Sequence, residues 1–405
     1  MKYYLLVSVD EMWLKGNNRP FYYRLIHNHI KDVLRLYHPA DCEFNNLNNR
    51  IFLSSEMKFS EDFIQAMLRI PGIYSVSPAK YSLKTIEDMS KIAAESIGTL
   101  TKQTTFKVEA TRNDKSFPLN RMEASKEIGA ILLKSFPLLK VDVKKPELVV
   151  DVRIMPDGCY VSTQTRYGVG GLPVGSSGHA VTMLSGGFDS PVASFLMSHR
   201  GLSQTLVFFH AHPFVGDEVK EKILNIAKHL ALYNKRIELI TVPFGAVQQA
   251  IAEKAKNDYR TLFFRRAMVV MSNMIAERNG ADAIITGDSL SQVSSQTIQN
   301  LAVIDKASDR PVLRPLIAMN KREIIELAVK IGTHDISIIP HDDACALFAP
   351  KNPVIRGDSN YTREFFSENN FDQIYHDALA KSELIAFNAK AEQIYPKIKK
   401  STHSL

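Results

Sequence analysis

Cysteine is scarce in this sequence, and the spacing of the cysteines excludes their two commonest structural uses. Cys42, Cys159 and Cys345 are the only cysteines among 405 residues, and no two of them form a CxxC pair. A disulfide framework and a classical zinc site both need paired or closely spaced cysteines. A metal that bridged all three would need them to converge from separate domains, so the sequence predicts no protein-bound zinc or iron–sulfur cluster.

Long apolar runs are missing as well. No uninterrupted apolar stretch approaches the length needed to cross a membrane. The N-terminal run MKYYLLVSVDEMW reaches acidic residues almost at once and has no small-residue cleavage site, so it does not resemble a secretory signal. The sequence therefore predicts a cytoplasmic protein that has no membrane partner.

What the sequence does contain fits a large, basic, folded protein. A chain of 405 residues exceeds the size at which one hydrophobic core stops growing, so two or three domains are expected. Hydrophobic residues make up 45% and charged residues 23%, which is typical of a chain that folds throughout. A formal net charge of +7 favours a polyanionic partner.

Two small units are expected in the first part of the chain. Residues 1–73 follow the order strand, helix, strand, helix, which suggests a ferredoxin-like unit. Residues 74–167 combine alternating strands with a helix that starts at Arg121, where Asn120 and Glu123 can form a capping box. Both units therefore belong to the α+β class.

The second part of the chain has a different character. The glycine-rich residues 168–178 are predicted to be a linker. Residues 179–395 alternate apolar strands with amphipathic helices, which is the pattern of an α/β domain with a parallel sheet covered by helices on both faces. Residues 396–405 are expected to form a tail. The sequence thus predicts a multidomain α/β protein whose main domain boundary lies at the linker.

The most specific local signal is the hexapeptide SGGFDS, Ser185–Ser190, between the strand AVTML and the helix PVASFLMSH. Glycines let a backbone approach an anion closely, and the free N–H groups at a helix start favour negative charge. Ser190 is the candidate N-cap, and Pro191 the candidate first helical residue. Gly-Gly with a serine cap can also be purely structural, but the whole hexapeptide favours a phosphate-binding loop. A Walker pattern is absent, as is a dinucleotide fingerprint in a suitable position.

SGGFDS resembles the PP-loop of enzymes that split ATP between the α and β phosphates and release AMP and pyrophosphate. The resemblance implies adenylation of an acceptor, with Asp189 helping to hold the metal or to position the α-phosphate. It implies no metal beyond the Mg²⁺ that ATP carries. The loop residues expected to hold Mg-ATP are Ser185, Gly186, Gly187 and Ser190.

Other residues agree with a nucleotide site at the carboxyl ends of parallel strands. Backbone groups at two strand ends could read the adenine edge, and the segments FFRRAM and TGDSLSQVSSQT supply further polar or small residues. For FFRR, a helix whose arginines only face solvent is an equally good interpretation. These candidate ATP-binding residues are Met183, Leu184, Phe208, Phe209, Arg265, Gly287 and Gln296.

The segment LRPLIAMNKREIIELA resembles one that several PP-loop families share. In it, Lys321 is expected to neutralise the charge of the transferred phosphate, which makes it a candidate catalytic residue. Asn320 and Glu323 could equally form no more than a helix capping box.

A more specific resemblance covers nearly the whole chain. DEMWLKGNNRPF resembles the motif GE-x-x-LKG-x-NR-x-F of the ThiI family of tRNA uridine 4-sulfurtransferases, with Asp10 where glycine is usual. FKVEATRNDKSFPLNRMEASKEIGAILL resembles a THUMP domain, an RNA-binding module of tRNA-modifying enzymes. RYGVGGLPVGSSG followed by SGGFDSPVA is similar to the family's junction between THUMP and PP-loop domains. The resemblance implies N-terminal ferredoxin-like and THUMP domains followed by a PP-loop ATP pyrophosphatase domain, with the boundaries given above.

The ThiI resemblance also implies a reaction and its partners. The reaction forms 4-thiouridine at uridine 8 of tRNA: adenylation of O4 releases pyrophosphate, and sulfur from a cysteine persulfide then displaces AMP. The implied partners are tRNA, a cysteine desulfurase as sulfur donor, and a second copy of the chain in a homodimer. Longer family members append a rhodanese domain, and this chain stops without one. That implies direct receipt of sulfur from the desulfurase and puts a thiazole-forming role in thiamine synthesis in doubt.

Cations are frequent in the THUMP-like stretch, where they could engage several phosphates in a salt-sensitive way. An ordinary solvated basic face is the alternative, and joined to the PP-loop the pattern favours RNA. The candidate tRNA-binding residues are Lys107, Arg112, Lys115, Arg121 and Lys126, to which Lys144 and Lys145 add charge.

The candidate sulfur carrier is Cys345, within HDDACALFAPKNPV. It lies in a polar, proline-flanked segment that suggests a loop, whereas Cys159 falls in a strand and Cys42 abuts one, which suggests packing roles. A buried, inert thiol is the alternative for Cys345. Asp342 and Asp343 would not lower its pKa, so activation would come from elsewhere.

Two other functions remain open at this stage. One is another adenylating PP-loop enzyme that acts on RNA or on a small molecule; the lack of a glutaminase motif argues against an amidotransferase. The other is a non-catalytic tRNA-binding protein with a degenerate nucleotide fold, and the intact SGGFDS argues against it.

Overall fold

The computed structural model describes residues 2–38, 40–47, 50–340 and 350–394. They fall into two compact units, the N-terminal unit (Met1–Pro20 and Val33–Gly171) and the C-terminal unit (Phe21–Asp32 and Leu172–Leu405). Within the described ranges, no helix is both long and apolar enough to cross a membrane.

A mixed sheet forms the N-terminal unit. Its strands are β1 (Tyr3–Val9), β2 (Glu43–Leu47), β3 (Arg50–Ser55), β4 (Ile73–Ser82), β5 (Thr104–Arg112), β6 (Leu139–Val141), β7 (Leu148–Met155), β8 (Gly158–Ser162) and β9 (Arg166–Tyr167). The helices of this part of the chain are α1 (Arg19–Tyr37), α2 (Glu61–Leu68), α3 (Ile86–Ile97) and α4 (Arg121–Ser135), with a 3-10 helix at Met12–Asn18. The strand order is β2-β3-β1-β4-β8-β7-β5-β6, and β9 pairs with β4. Strand β5 pairs in parallel with β6 and β7, and the other pairs are antiparallel.

Helices α3 and α4 cover the sheet at β5 and β8. The buried residues of α4 recur every four positions, at Ala124, Ile128 and Leu132, so they lie on one face of the helix. They share a core with strand residues such as Phe106. The capping box predicted at the start of α4 is confirmed, because the Asn120 and Glu123 side chains each accept from the other's backbone N–H.

Strand β4 joins the two parts of the N-terminal unit. Residues 73–79 pair with β1, and residues 80–82 pair with β8. The boundary predicted between residues 73 and 74 falls at the start of this strand. Described strands from both sides of that boundary therefore belong to one continuous sheet.

The glycine-rich residues 168–178 are held by backbone hydrogen bonds. The N–H of Gly170 donates to the carbonyl of Ile73 at 2.9 Å, within the N-terminal unit. The N–H of Leu172 donates to the carbonyl of His199 at 2.9 Å, within the C-terminal unit. The change of partner coincides with the division between the two units.

Asp10, which stands where the ThiI motif usually has glycine, has a defined role in the N-terminal unit. One carboxylate oxygen accepts from the N–H of Glu11 and the other from the N–H of Gly171, both at 2.9 Å. A glycine offers neither acceptor. Aspartate at this position therefore adds a hydrogen bond between the N-terminal segment and Gly171, at the end of the unit.

The C-terminal unit is an α/β domain. Its strands are β10 (His179–Met183), β11 (Ser203–His210), β12 (Arg236–Pro243), β13 (Ala283–Ile285), β14 (Val312–Leu313), β15 (Glu383–Asn388) and β16 (Gln393–Ile394). Its helices are α5 (Asp189–His199), α6 (Asp217–Ala231), α7 (Gly245–Lys254), α8 (Arg260–Asn279), α9 (Ile298–Asp305), α10 (Lys321–Ile331), α11 (His334–Ser337), α12 (Ser359–Glu368) and α13 (Asp372–Ala380), with 3-10 helices at Asn257–Tyr259 and Ser294–Gln296. The strand order is β14-β13-β10-β11-β12-β15-β16. The first five strands are parallel, which confirms the predicted class; the antiparallel addition of β15 and β16 was not predicted.

Both faces of this sheet carry helices. Val207 and Phe209 of β11 belong to the large core that includes α7 and α8. Leu206 and Phe208 alternate with them and so point to the opposite face, and α5 and α6 also contact β11. The parallel strands end at one edge of the sheet, where the segments after β10 and β13 form the candidate site.

Candidate nucleotide-binding site

The loop Ser185–Ser190 is closed by hydrogen bonds between its two ends. The N–H of Ser185 donates to Oγ of Ser190 at 2.8 Å, and the two hydroxyls are 3.1 Å apart. The prediction that Ser190 is the N-cap is wrong, because α5 begins at Asp189 and Ser190 lies inside its first turn. Its hydroxyl bonds back across the loop instead of forward to the helix, and Pro191 is therefore the third helical residue.

The loop glycine Gly187 has open space beside it. Neither Gly186 nor Gly187 adopts a left-handed backbone conformation, so the turn itself does not require glycine. A Cβ added at Gly187 would meet only Oγ of Ser185, at 3.9 Å. The face of the loop over Gly187 is therefore open, and a backbone without side chains can approach phosphate oxygens closely there.

Asp189 and Lys321, the two predicted catalytic residues of the described chain, meet at this loop although 132 residues separate them in sequence. Nζ of Lys321 donates to one carboxylate oxygen of Asp189 at 2.9 Å. The same ammonium lies 5.2 Å from the centre of the Phe188 ring. Lys321 is the first residue of α10, whose capping box of Asn320 and Glu323 is present, so the helix start fixes its position. A cation and a carboxylate thus stand beside the phosphate loop.

Gly287 is required by close packing against the loop. A Cβ added there would lie 2.7 Å from the backbone N of Ser190 and 2.8 Å from the backbone C of Asp189. Atoms at such distances must move apart, and here they are backbone atoms of the first turn of α5. A residue without a side chain is therefore needed at position 287 for the loop to keep its conformation.

We expect Gly287→Ala and Gly187→Ala to weaken ATP binding for different reasons. Gly287→Ala displaces the loop backbone, and overpacking of this kind typically destabilises a protein by about 1–3 kcal/mol. Gly187→Ala fits the folded protein and only obstructs the anion. Calorimetric ATP titration and thermal unfolding of both variants test this: both should bind ATP more weakly, and only Gly287→Ala should unfold at a lower temperature. Wild-type ATP affinity in Gly287→Ala would contradict the assignment.

Arg265 and Gln296 are bound to a buried carboxylate. The Arg265 guanidinium pairs with Asp288 and donates to the carbonyl of Ser295 at 3.1 Å. Nε2 of Gln296 donates to Asp288 at 3.3 Å, and Nε of Arg314 donates to its other oxygen at 3.1 Å. Burial opposes ionisation of Asp288, but the two arginines and the hydrogen bonds outweigh it and lower the pKa of the carboxyl below its usual value.

Asp288 and its partners Arg265, Gln296 and Arg314 form a group that we call the Asp288 cluster. This cluster supports the segment that carries Gly287. The hydrogen bonds of Arg265 and Gln296 connect them to this cluster. Within the described ranges, none of these bonds reaches the Ser185–Ser190 loop. Removing one partner of such a buried pair leaves an uncompensated charge. The two residues thus hold Asp288, which follows Gly287 directly in the chain.

The remaining predicted ATP-binding residues lie at strand ends. Met183 is the last residue of β10, and the N–H of Leu184 donates to the carbonyl of Val207 at 2.8 Å. Phe208 and Phe209 lie near the end of the neighbouring β11. These positions flank the loop in the sheet, and the polar groups that they offer are backbone atoms.

Three residues of the site were missed from the sequence. Nε2 of Gln292 donates to the second carboxylate oxygen of Asp189 at 2.9 Å. The His334 ring stacks on Phe188 with centroids 5.5 Å apart. Oγ of Ser337 donates to the carbonyl of Gly187 at 3.4 Å. Gln292 lies in the quoted stretch TGDSLSQVSSQT, but no sequence pattern distinguished it from Gln296.

Cys345, the predicted sulfur carrier, lies outside the described residues. On the preceding side, Ser337 contacts the phosphate loop, and the buried Lys222 donates to the carbonyls of Ser337 and Ile339 at 2.8 and 2.7 Å. On the following side, Oγ1 of Thr297 donates to the carbonyl of Ile355 at 2.7 Å. The described chain on both sides of residues 341–349 is thus attached to elements of the site.

The other two cysteines are poor nucleophiles. Burial raises the pKa of the Cys159 thiol, which is fully buried in β8, to about 11. Burial also raises the pKa of the Cys42 thiol to about 11. Because the thiolate is the reactive form, burial disfavours the reactive form of both thiols at neutral pH.

In the N-terminal unit, three of the five predicted tRNA-binding cations line one cavity. Lys107, Arg121 and Lys126 face a cavity of about 740 Å³ between β5 and α4. Lys107 is paired with Glu109, which lines the same cavity. Arg112 instead donates to the carbonyls of Asp114 and Lys115, which gives it a structural partner within its own turn. Lys115 is exposed and lies outside the residues that line the cavity.

Three family descriptions match successive regions of the chain. The ThiI ferredoxin-like domain matches residues 4–77, and the THUMP domain matches residues 83–164. The family described as thiamine biosynthesis protein (ThiI) matches residues 175–371.

Curated relatives align over almost the whole chain. The probable tRNA sulfurtransferase of Geobacillus kaustophilus (strain HTA426) is 36% identical over 390 residues, which cover 96% of this chain and 97% of the relative. The protein of the same name from Caldanaerobacter subterraneus subsp. tengcongensis is 39% identical over 356 residues, which cover 88% and 92%.

Two solved structures are similar to this chain over most of its length. A crystal structure of a 4-thiouridine synthetase–RNA complex with bound ATP matches with a TM-score of 0.86 and 30% identity, over 95% of this chain and 100% of that one. PH1313 from Pyrococcus horikoshii Ot3 matches with a TM-score of 0.62 and 21% identity, over 82% and 99%, which is a similarity of fold. The similarity to the first structure includes both units.

Proposed function

The chain belongs to the ThiI family of tRNA sulfurtransferases, and from that membership we propose that it makes 4-thiouridine at uridine 8 of tRNA in an ATP-dependent reaction. The observation that carries the proposal is the open Ser185–Ser190 loop with Lys321 paired to Asp189 beside it. The choice of substrates is supported by the related 4-thiouridine synthetase, whose structure contains RNA and ATP.

ATP fits the loop because its backbone N–H groups and the start of α5 favour phosphate, and Lys321 adds positive charge. Among the described residues, no group of three or more His, Cys, Asp or Glu could hold a metal. We propose that Mg²⁺ comes with ATP, and Asp189 is the loop carboxylate that would contact it. The ion would supply positive charge to the phosphate oxygens.

The first step is adenylation of the uridine. O4 attacks the α-phosphate, so an O4–P bond forms while the bond to pyrophosphate breaks. Lys321 and the loop N–H groups stabilise the negative charge that develops on phosphate. The weak leaving group at C4 becomes AMP, which leaves readily.

The second step is sulfur transfer. The outer sulfur of a Cys345 persulfide attacks C4, the C4–S bond forms, and AMP departs with O4. Two equivalents of an external thiol then cleave the S–S bond, supply two electrons, and release 4-thiouridine and the Cys345 thiol. A cysteine desulfurase reloads that thiol. Splitting the reaction in this way replaces one difficult displacement by two easier ones.

We further propose that the N-terminal unit binds the tRNA, through cations that line the cavity between β5 and α4, and that the enzyme works as a homodimer. The ferredoxin-like and THUMP regions are assigned to residues 1–73 and 74–167, and the PP-loop domain to residues 179–395. Contacts to backbone phosphates suit recognition of a folded RNA by its shape.

Replacing Lys107, Arg121 and Lys126 together by alanine is expected to reduce tRNA affinity and its salt dependence. Each lost phosphate contact should lower the slope of log K against log salt by roughly 0.7–0.9. Fluorescence anisotropy at several salt concentrations measures both quantities. Lys91→Ala, which removes an exposed cation of α3 outside the cavity, is the matched control. An unchanged slope in the triple variant would remove these residues from the interface.

The function itself is tested by incubating the protein with unmodified tRNA transcript, Mg-ATP, cysteine and a desulfurase. 4-Thiouridine is measured by near-ultraviolet absorbance and by nucleoside mass spectrometry. Its formation supports the proposal. AMP release with another acceptor, without thiouridine, would leave an adenylating enzyme of another kind. Binding of tRNA without AMP release would favour the non-catalytic alternative.

A further inference from the structure

A second cationic cavity lies in the C-terminal unit, between α8, α9 and α12. Its volume is about 410 Å³. The residues that line it, all within the described ranges, include three cations and no carboxylate. The members that matter here are Arg266 on α8, Lys306 at the end of α9, and Ser359, Arg363, Phe366 and Ser367 on α12.

Arg266 is the lining residue on which the inference depends. Its guanidinium lies over the Phe366 ring, 3.9 Å from the centroid, in a cation–π contact. Burial lowers the pKa of this guanidinium, and the nearby Tyr375 acts in the opposite direction. Among the described residues, no carboxylate forms an ion pair with Arg266. A largely buried charge is costly unless an opposite charge or hydrogen bonds compensate it.

The acidic groups around the cavity are already engaged or lie beyond it. The Asp358 carboxylate caps α12 by accepting from the N–H of Asn360 at 2.7 Å. Asp305 is paired with Arg314 outside the cavity. Asp372 lines an adjoining cavity of about 350 Å³, which also contains Arg266 and Tyr375. The Tyr375 hydroxyl is buried and has no hydrogen-bond partner among the described residues.

We propose that the Arg266 cavity binds a phosphate group of the RNA substrate. Arg266 offers a planar set of donors, Lys306 and Arg363 add positive charge at the exposed rim, and Ser359 and Ser367 add hydroxyls. The inference rests on the proposed function, in which RNA is the substrate. A free inorganic phosphate or pyrophosphate has the same chemistry and is the other possible source.

The test compares Arg266→Met, which keeps an apolar contact with Phe366, and the double variant Lys306→Ala/Arg363→Ala, whose side chains are exposed. Lys330→Ala, an exposed cation of α10 outside the cavity, is the control. The nucleotide loop is first filled with α,β-methylene-ATP, so that it cannot bind the added probe. tRNA is then titrated by anisotropy at several salt concentrations, and pyrophosphate by calorimetry. Circular dichroism and thermal unfolding check that each variant is folded.

We expect both cavity variants to bind tRNA about tenfold more weakly, with a slope of log K against log salt reduced by roughly 0.7–0.9 for each lost contact. Loss of pyrophosphate binding with unchanged tRNA binding would overturn the assignment to RNA and leave a site for the free anion alone. No change in either titration would overturn the proposal.

Thiouridine formation at saturating tRNA separates this inference from the proposed function. If the wild type makes thiouridine and the cavity variants bind tRNA normally, the function stands and the cavity site fails. If the wild type makes no thiouridine and the cavity variants still bind RNA more weakly, the cavity site stands and the proposed function fails. The variants should raise KM for tRNA and leave kcat close to that of the wild type.

Discussion

Replacing Asp189 by asparagine is expected to slow the formation of AMP from ATP by about 100-fold or more, a loss typical of removing one charged or donor group from the site of charge development. The carboxylate accepts from Lys321 through one oxygen and from Gln292 through the other. An amide keeps one acceptor and loses the charge that attracts the ammonium. Rapid-quench measurement of AMP at saturating ATP and tRNA gives the rate directly.

Two comparisons decide whether the Asp189–Lys321 pair acts as a unit. Lys321→Met should cause a loss of similar size, and the double variant should be little worse than either single one, because residues that act together are not additive. Glu326→Gln removes an exposed carboxylate of α10 and should retain the wild-type rate. Full additivity in the double variant would mean that the two residues act independently.

Replacing Cys345 by serine is expected to lower thiouridine formation by at least about 100-fold while pyrophosphate is still released, because adenylation precedes sulfur transfer and a hydroxyl cannot carry a persulfide. The prediction separates the two chemical steps of the proposed reaction. Nucleoside mass spectrometry follows the product, and thin-layer separation of α- and γ-labelled ATP follows AMP and pyrophosphate in the same sample.

The other two cysteines provide the controls for this experiment. Burial raises the pKa of both Cys42 and Cys159 to about 11, so neither thiol ionises at neutral pH. Cys42→Ser and Cys159→Ala should therefore keep the wild-type ratio of thiouridine to AMP. Thiouridine formed at the normal rate by Cys345→Ser, and lost in one of the other two, would transfer the carrier role to that residue.

The features that the sequence predicts correctly depend on neighbouring residues. The capping boxes at Asn120 and Asn320 each join residues three apart, and the strand, loop and helix around SGGFDS follow one another directly. Local propensities and hydrogen bonds suffice for these features. The same holds for the α/β class of the C-terminal unit, since the order of strands and helices already determines it.

What the sequence does not reveal is the set of partners that folding brings together. The Asp189–Lys321 pair spans 132 residues and the Asp189–Gln292 pair spans 103. Arg265 illustrates the same limit: its type suits a phosphate, but the buried Asp288 lies against it in the folded chain. The prediction for Ser190 was wrong because a hydroxyl near a helix start has two kinds of partner. It can cap the N–H groups of the following helix, or it can bond to the preceding loop, as it does here with the N–H of Ser185. The same sequence is compatible with both.

The backbone hydrogen bonds of residues 168–178 indicate where the gene could be recombined with the gene of another family member. Up to Gly171 the backbone groups find partners in the N-terminal unit, and from Leu172 they find partners in the C-terminal unit. A crossover at that point would keep these backbone hydrogen bonds within each half, provided that residues 21–32 of α1, which belong to the C-terminal unit, come from the same family member as that unit. A crossover at residues 73 and 74 would instead pair β1 of one member with β4 of another inside a single sheet. A chimeric chain would therefore tolerate a junction after Gly171, with residues 21–32 matched to the C-terminal unit, better than a junction between residues 73 and 74.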